Sequence, residues 1–236
     1  MSERIALVTG ASRGVGKAVA AGLSARGMTV ISGMRTPSGE LSVRLDVTDQ
    51  ETITAAAGWI EERFGRLDVL VNNAGISGYT PGRPPGATPV ESVREVFETN
   101  VLGVVAVTNA MLPLLRRSPA ARIVNVSSGV GSLTYQTDPD HYMYGLPPQA
   151  AYPASKAALN ALTVQYAREL AGEGIQVNAA TPGPCDTDFT QGLGFDLGRT
   201  AEDGARVVVD LASGSDMAGP DGPTGGFFDE NGRVPW

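Results

Sequence analysis

Short apolar runs alternate with amphipathic stretches along most of the 236-residue chain. The apolar runs have the length of buried strands, which we predict over residues 5–8, 28–32, 43–45, 67–71, 123–126, 175–179 and 226–228. The amphipathic stretches predict helices over residues 15–26, 48–64, 88–115, 154–170 and 202–211. Elements that alternate in this way form a parallel sheet with helices on both faces. We therefore predict an α/β fold, a doubly wound parallel sheet of about seven strands in three layers, α/β/α.

The connecting segments are short except for three that are rich in glycine, proline or polar residues. We predict loops over residues 76–87, 129–149 and 182–199. Residues 36–41, between the second and third strands, are too few for a helix, so a bare loop must connect these strands. A chain of this length fits one α/β domain, and we predict a single domain over residues 1–236.

Composition and charge exclude several classes of protein. A formal net charge of -7 argues against a nucleic-acid partner. With one cysteine, Cys185, and one histidine, His141, the chain has no internal disulfide and no candidate Cys/His metal site. The first strand begins too close to Met1 for a signal peptide, and no apolar run approaches the length that spans a bilayer. We expect a cytoplasmic protein without a membrane partner.

A glycine-rich turn, Thr9-Gly10-Ala11-Ser12-Arg13-Gly14-Val15-Gly16, joins the first strand to the first helix. Backbone N–H groups and the helix dipole converge at such a turn and bind phosphate. We predict that Gly10 allows the tight turn, Gly14 the approach of a pyrophosphate, and Gly16 close packing of helix on strand. The spacing differs from the G-x-G-x-x-G fingerprint of dinucleotide sites, and a flexible turn is the alternative.

The end of the second strand indicates which dinucleotide binds. NAD-binding proteins place a carboxylate there, on the ribose hydroxyl. This chain has Ser32-Gly33-Met34-Arg35 instead, with no acid. Arg35, helped by Arg13 of the glycine-rich turn, can bind a 2′-phosphate. We therefore predict NADP(H) in preference to NAD(H); two ordinary surface arginines are the alternative.

Tyr152 and Lys156 are four residues apart in a predicted helix, which places them on one face. They stand out because the chain has only two lysines, the other being Lys17. An ammonium beside a phenol lowers the pKa of the phenol, which then becomes a usable general acid or base. The alternative is a tyrosine and a lysine on a solvated helix face.

Together these motifs resemble those of the short-chain dehydrogenase/reductase family over essentially the whole chain. The glycine-rich turn is similar to its T-G-x-x-x-G-x-G, and residues 72–75 to its N-N-A-G. Residues 152–156 match its Y-x-x-x-K, and residues 182–187 its P-G-x-x-x-T. The stretches 127–132 and 222–229 look most like carbonyl-reductase and terpenoid- or alkaloid-reductase members.

The resemblance implies roles for these residues. Tyr152 would donate a proton to a carbonyl oxygen, Ser128 would hold the same oxygen, and Asn100 would hold a water that links Lys156 to solvent. Lys156 would also hydrogen-bond the nicotinamide ribose. Asp46 would meet the adenine amino group, and Thr187 the nicotinamide carboxamide. The implied cofactor-binding residues are Gly10, Ser12, Arg13, Gly14, Val15, Gly16, Arg35, Asp46, Val47, Asn73, Ala74, Gly75, Tyr152, Lys156, Pro182, Gly183 and Thr187.

Several of these assignments have open alternatives. Ser127 replaces Ser128 if the register of the motif is off by one. Asn100 could be a buried asparagine bonded to backbone. Pro153 requires its helix to begin late or to bend. For Cys185 we favour an inert thiol over a reactive one.

The interval between Ser128 and Tyr152 is longer than in many members of the family. We interpret the extra residues, which include four aromatic side chains, as a substrate wall, because loops on rigid scaffolds carry specificity. They could instead cover a face used for oligomerisation, so both a monomer and a homo-oligomer stay open. For His141, within this loop, we favour a solvated residue over a catalytic one.

The function that these residues predict is the NADPH-dependent reduction of a ketone or aldehyde to an alcohol, reversible with NADP+. The partner is a small-molecule carbonyl or alcohol. A non-catalytic NADP-binding sensor or scaffold with a Rossmann fold is the main alternative. An S-adenosylmethionine methyltransferase is less favoured, because it would want an acid after the second strand and has no use for the Tyr152–Lys156 pair.

Overall fold

The computed structural model describes residues 3–78, 83–190, 198–214 and 222–236. Parts of two predicted loops, 79–82 and 191–197, lie outside these residues. The strands are β1 Ile5–Thr9, β2 Thr29–Met34, β3 Ser42–Arg44, β4 Val69–Asn72, β5 Arg122–Val126, β6 Gln176–Ala180, β7 Phe227–Asp229 and β8 Gly232–Arg233. The α-helices are α1 Gly14–Ala25, α2 Gln50–Phe64, α3 Val90–Phe97, α4 Gly103–Leu115, α5 Leu133–Thr137, α6 Tyr152–Leu170 and α7 Ala201–Ser213.

All the strands form one sheet in the order β3-β2-β1-β4-β5-β6-β7-β8. The pairs from β3 to β7 are parallel, and β8 pairs antiparallel with β7. The strand order reverses between β1 and β4, which is the switch point where doubly wound sheets bind ligands. The predicted fold class is confirmed. The antiparallel β8 was not predicted, because two residues are too few for a strand pattern.

The core lies on both faces of this sheet. Along β1, Ile5 and Leu7 belong to one apolar cluster, and Ala6 and Val8 belong to the other. The first cluster includes side chains of α2, α4 and α6, and the second includes side chains of α1 and α7. A parallel strand buried on both faces has no polar side, which is why these strands appear as continuous apolar runs in the sequence.

The predicted helix over residues 88–115 is interrupted in the middle. Between α3 and α4 the chain forms a π-helical turn, Glu98–Leu102, with Asn100 buried inside it. A proline inside a helix can interrupt it, and α4 contains Pro113. The interruption, however, is the π-helical turn at residues 98–102, well before this proline. At the start of α4, a Cβ on Gly103 would lie 2.8 Å from the carbonyl oxygen of Val47. The helix therefore passes very close to the end of the segment that follows β3.

The combined helical stretch is also unusually apolar. Of the residues described, only Val90–Leu115 is long and apolar enough to cross a membrane by length and composition, so our expectation that no run reaches that length is wrong. Half of its most apolar window is buried inside the fold. Val107, Met111 and Leu115 of this stretch belong to the core cluster. Packing against the sheet accounts for its apolar composition.

Two other expectations about local structure have definite outcomes. Residues 36–41 form no helix, as predicted. α6 begins at Tyr152 rather than at residue 154, so Pro153 occupies the first turn, where no backbone N–H is needed. The predicted loop over residues 129–149 contains α5 and two short 3₁₀ turns, Gly129–Gly131 and Tyr142–Gly145.

Candidate active site

A cleft of ≈ 1440 Å³ runs along the carboxyl ends of the strands. It extends from the turn after β1, past the ends of β3, β4 and β5, to the start of α6. Its lining includes nearly all the residues that we predicted to bind a cofactor or to catalyse: Gly10, Ser12, Arg13, Gly14, Val15, Gly16, Arg35, Asp46, Val47, Asn73, Ala74, Gly75, Ser128, Tyr152, Lys156, Pro182, Gly183 and Thr187. Asn100 lies outside that lining.

The glycine-rich turn has the backbone that its sequence predicts. Gly10 and Gly14 have φ of 66° and 54°, which favour glycine. A Cβ on Gly16 would overlap the side-chain nitrogen of Asn73 and the carbonyl oxygen of Gly10. The turn is thus folded tightly back on α1, and Gly16 is required for close packing.

Two polar side chains fix this turn to the end of β4. Asn73 Nδ2 donates to the carbonyl oxygens of Thr9 (2.9 Å) and Gly10 (3.3 Å). In return, the hydroxyl oxygen of Thr9 accepts hydrogen bonds from the backbone N–H groups of Asn73 and Ala74, both at 3.0 Å. The side chain of Asn73 therefore holds the glycine-rich turn against the end of β4.

The N-terminus of α1 fits an anionic group. No side chain caps it, and its first turn carries no acidic residue. Thr187 lies across the cleft, its Cγ2 3.6 Å from the position of a Cβ on Gly14. The same loop places Asp188 in a 2.8 Å ion pair with Arg13. The cleft thus passes between the glycine-rich turn and residues 182–190, with N–H groups available on the α1 side.

The adenine-side candidates lie at the ends of β2 and β3. Arg35 is exposed at the cleft, and Asp46 is half-buried beside it. Hydrogen bonds from the backbone and hydroxyl of Thr48 lower the pKa of Asp46, and the charge of Arg35 adds to this effect. Asp46 is thus held as an acceptor at the place where an adenine amino group was expected.

Tyr152, Ser128 and Lys156 come together where β5 ends and α6 begins. The hydroxyl of Ser128 is close enough to that of Tyr152 to lower its pKa as a hydrogen-bond partner. Lys156 is buried, 4% exposed, with Nζ 5.6 Å from the centre of the Tyr152 ring. The ammonium donates to the carbonyl oxygen of Val126 at 2.8 Å. Two hydroxyl donors therefore face the cleft, with a cation behind one of them.

The predicted direction of the tyrosine pKa is wrong. Burial raises the pKa of Tyr152 to about 12, and the hydrogen bond with Ser128 only partly opposes this. Burial also lowers the pKa of Lys156 to about 8. Desolvation disfavours the charged form of both groups and is the largest cause of both shifts. Tyr152 is therefore a protonated phenol at neutral pH, although its ring keeps a partly exposed surface in the cleft.

The side chain of Asn100 is hydrogen-bonded within the protein. Its Oδ1 accepts from the backbone N–H of Ile76, and its Nδ2 donates to the carbonyl oxygen of Ile76 and to Ser155 Oγ, at 2.9 to 3.0 Å. A Cβ on Gly75 would lie 3.2 Å from Asn100 Oδ1 and 3.7 Å from Lys156 Nζ. These are the contacts of the alternative that we left open, a buried asparagine bonded to backbone. A role in holding water stays a prediction.

Comparison with known proteins agrees with this geometry. The sequence profile described as short chain dehydrogenase matches residues 4–198. The chain belongs to that family. A protein of Penicillium roqueforti named short-chain dehydrogenase anuI is 38% identical over 232 residues, which cover 90% of each chain.

Two solved structures of reductases have the same fold. The NADPH-bound carbonyl reductase from chicken fatty liver has a TM-score of 0.84 and 29% identity, with 100% of both chains covered. Salutaridine reductase from Papaver somniferum has a TM-score of 0.79 and 30% identity, covering 97% of this chain and 100% of that one. The predicted family and the likeness to carbonyl reductases are confirmed. The chain is an oxidoreductase of a family that binds a nicotinamide cofactor and acts on alcohol or carbonyl groups of small molecules.

The two adjacent serines of this short-chain dehydrogenase, Ser127 and Ser128, differ in burial and in their partners. Ser127 is buried, and its hydroxyl donates to Asn160 Oδ1 at 2.6 Å. Ser128 faces the cleft and bonds Tyr152. Both serines line the cleft, but Ser127 is bonded to Asn160 and Ser128 acts on Tyr152, which favours Ser128 over Ser127 as the predicted catalytic serine.

The long segment before α6 forms one wall of the cleft. Tyr142, Tyr144 and Leu146 are exposed and line it. Met143 lies against Gly129, the residue after Ser128, where a Cβ would overlap its terminal methyl. Opposite this wall, the Phe189 ring is 5.5 Å from the Tyr152 ring. Apolar and aromatic side chains thus surround the place where the two hydroxyls point.

His141 and Cys185 are both packed against other parts of the protein. His141 stacks on Tyr135, with ring centres 3.9 Å apart, and its Nδ1 accepts from the backbone N–H of Met143. It is therefore a packed loop residue rather than a solvated one. Cys185 is buried, and burial raises the pKa of its thiol. That direction agrees with the inert thiol that we favoured.

Sequence reasoning missed four residues that shape the site. Thr9, Ser155 and Asn160 each hydrogen-bond a segment that carries a functional residue. Ser155 and Asn160 are polar residues on the buried face of α6, a pattern that is visible once the helix phase is known. Phe189 had no signal in the sequence, because its neighbour Tyr152 is far away along the chain.

Proposed function

We propose that this short-chain dehydrogenase reduces a ketone or aldehyde to an alcohol with NADPH, and that Tyr152 donates the proton. The proposal rests on one observation, the paired hydroxyls of Ser128 and Tyr152 at the cleft with the buried Lys156 behind them. A carbonyl oxygen placed between two such donors can accept from both. Positioned donors of this kind stabilise negative charge as it develops on the oxygen.

The raised pKa of Tyr152 favours the reductive direction. A general acid must carry its proton at the working pH, and a phenol with a pKa of about 12 does so. As the proton leaves, negative charge develops on the phenol oxygen. The ammonium of Lys156 then stabilises that charge, because the two groups are close and the site is desolvated. Lys156 thus stabilises the deprotonated phenolate of Tyr152 rather than its protonated phenol.

The chain offers matched groups for a nicotinamide dinucleotide, which supplies the hydride when bound. The uncapped N-terminus of α1 and the glycine-rich turn would hold its pyrophosphate. Arg35 and Arg13 would bind a 2′-phosphate, and no carboxylate at the end of β2 competes for a ribose hydroxyl. The structural neighbour from chicken liver is described as NADPH-bound, which supports the choice of NADPH.

The apolar wall supports a bulky, apolar carbonyl substrate. Five of the exposed large hydrophobic side chains in the described parts of the chain line the cleft, namely Ile76, Tyr142, Tyr144, Leu146 and Phe189. Exposed apolar patches of this kind mark binding surfaces. We assign the segment 142–149 as the substrate wall, in keeping with the interpretation from sequence.

The direct test is turnover with a panel of carbonyl compounds. The purified protein is mixed with NADPH or NADH and with aliphatic, aryl and cyclic ketones and aldehydes, and loss of absorbance at the nicotinamide band is followed. We expect reduction with NADPH and weaker reduction with NADH. Tight NADPH binding with no turnover of any carbonyl would instead favour the non-catalytic sensor.

Replacing Arg35 by alanine tests the preference for NADPH. We expect kcat/KM for NADPH to fall about 10- to 100-fold, because a hydrogen bond to a charged group contributes about 1.5–3 kcal/mol. The value for NADH should change less than threefold. Arg94→Ala is the matched control, because Arg94 is an exposed arginine that pairs with Glu91 on α3. Equal losses for both cofactors would contradict the assignment of Arg35 to the phosphate.

The lowered pKa of Lys156 predicts a pH dependence. Lys156 is charged below a pKa of about 8 and neutral above it, while Tyr152 stays protonated in this range. We therefore expect kcat/KM for NADPH, which reports the free enzyme, to be flat at low pH and to fall as pH rises through about 8. Lys156→Met should lower the activity and remove this decrease of kcat/KM at high pH. Lys17→Met, at the exposed second lysine, should keep this decrease. If the decrease disappears in Lys17→Met, a group other than Lys156 is responsible for it.

A further inference from the structure

Asn160 connects the two segments that carry the catalytic hydroxyls. It lies on α6, four residues after Lys156, and is 4% exposed. Its Oδ1 accepts from Ser127 Oγ at 2.6 Å, and its Nδ2 donates to the carbonyl oxygen of Gly131 at 3.1 Å. These partners lie on either side of Ser128 along the chain. A single amide thus spans the turn that presents the catalytic serine.

The turn packs on α6 with no room to shift. A Cβ on Gly131 would lie 2.9 Å from the carbonyl carbon of Lys156 and 3.0 Å from its Cβ. Ser128 itself is extended, with φ of -154° and ψ of 148°, and its side chain does not cap the 3₁₀ turn that follows it. The backbone of the turn is therefore in direct contact with the backbone of α6. The Asn160 amide is bonded to the turn at this contact and holds the turn in place along the helix.

The remaining ties of this turn come from other elements. The N–H of Gly129 donates to Thr181 Oγ1 at 3.0 Å, and the N–H of Ser127 donates to the carbonyl oxygen of Ala180 at 2.7 Å. Both attach the turn to the end of β6. Towards α6, the described side-chain interactions are the two bonds of Asn160, the bond from Lys156 to the carbonyl oxygen of Val126, which precedes the turn, and the interaction of Ser128 with Tyr152 itself. Asn160 is therefore the residue of α6 that holds the turn on both sides of Ser128 without using a reacting hydroxyl.

We propose that Asn160 is a positioning residue for the reaction, which sets the separation of the Ser128 and Tyr152 hydroxyls through its bonds to Ser127 and Gly131. This inference rests on the proposed function, in which both hydroxyls bind one carbonyl oxygen. Donors that must converge on one atom are sensitive to small displacements, and a shift of about 1 Å can cost about 100-fold in rate. Asn160 touches neither the substrate nor the cofactor in this scheme.

The test is a double-mutant cycle between Asn160→Leu and Ser128→Ala, with kcat measured at saturating NADPH. Leucine has a similar size and cannot hold the turn. We expect Asn160→Leu to lower kcat at least tenfold in the wild-type background, with KM for NADPH changed less than twofold. In the Ser128→Ala background the same substitution should cost less than twofold, because no serine hydroxyl is left to position.

A control separates positioning from simple loss of stability. Thr163→Val removes another buried hydrogen bond of α6, the one from Asn125 Nδ2 at 2.9 Å, and the described bonds of Thr163 go to Asn125 and Leu159 rather than to the turn. It should lower Tm as Asn160→Leu does and leave kcat within twofold. If Asn160→Leu does not fold, Asn160→Asp replaces it in the cycle, because aspartate keeps the acceptor for Ser127 and loses the donor to Gly131.

The outcomes distinguish this inference from the function on which it rests. Equal losses from the Asn160 substitution in both backgrounds, or none in the wild-type background, would overturn the positioning role while carbonyl reduction stands. A wild-type protein that reduces no carbonyl compound would overturn the proposed function and the positioning role with it. A loss confined to the background that contains Ser128 would support both.

Discussion

Tyr152→Phe should reduce the carbonyl reductase activity about 10²–10⁴-fold in kcat, with little change in KM for NADPH. The substitution removes one hydroxyl and keeps the ring, with its contact to Phe189 at 5.5 Å between ring centres. Ser128 keeps its hydroxyl, so the carbonyl oxygen would retain one donor but lose its source of a proton. Single-turnover reduction by the NADPH-loaded protein is the measurement.

The matched control for this prediction lies on the same helix. Tyr166 of α6 donates its hydroxyl to Asn109 Oδ1 at 2.8 Å, away from the cleft. Tyr166→Phe should cost about 1 kcal/mol of stability and leave kcat within twofold. If Tyr152→Phe keeps kcat within tenfold of the wild type, the proton comes from another group, and the mechanism is wrong at its central step.

Gly16→Ala should weaken NADPH binding at least tenfold and lower Tm. A methyl group at this position would overlap Asn73 Nδ2 and the carbonyl oxygen of Gly10, and Asn73 is itself held by its bonds to the turn. Overpacking of a tight site typically costs about 1–3 kcal/mol. The strain would be relieved by moving the glycine-rich turn, which is the part that binds phosphate. Calorimetric titration with NADPH and thermal unfolding measure the two effects.

Gly58 provides the opposite control for the same substitution. It lies within α2, and a Cβ there would meet no atom within 4 Å. Gly58→Ala should raise the stability by about 1 kcal/mol, because alanine favours a helix over glycine. For a chain of this size that corresponds to about 2–4 °C in Tm. NADPH affinity should not change, and a loss of affinity in this variant would show that binding responds to general changes in helix content.

The parts of the site that depend on nearby residues could be predicted from the sequence. The turn from β1 to α1 is formed by consecutive residues, so the spacing of Gly10, Gly14 and Gly16 was enough to predict its conformation and its packing. Tyr152 and Lys156 share a helix face because they are four residues apart. The alternation of strands and helices likewise predicted the sheet, because each βα unit is formed by residues that are close together in the sequence.

Other features depend on residues that are distant along the chain. Ser127 and Ser128 are the same residue type in adjacent positions, and only the approach of Asn160 to one of them, and of Tyr152 to the other, distinguishes their roles. The π-helical turn around Asn100 was hidden in a helical pattern. It became visible only where the helix met Ile76 and Ser155.

The sequence by itself determined the fold class, the conformation of the glycine-rich turn and the placement of Tyr152 and Lys156 on one helix, because short-range spacing specifies each of them. The tertiary structure alone decided the direction of the Tyr152 pKa and which of the two adjacent serines acts on Tyr152. Desolvation depends on how many atoms from all elements surround a group, and no local pattern records that number. The resting proton on Tyr152 is therefore a property of the packed cleft.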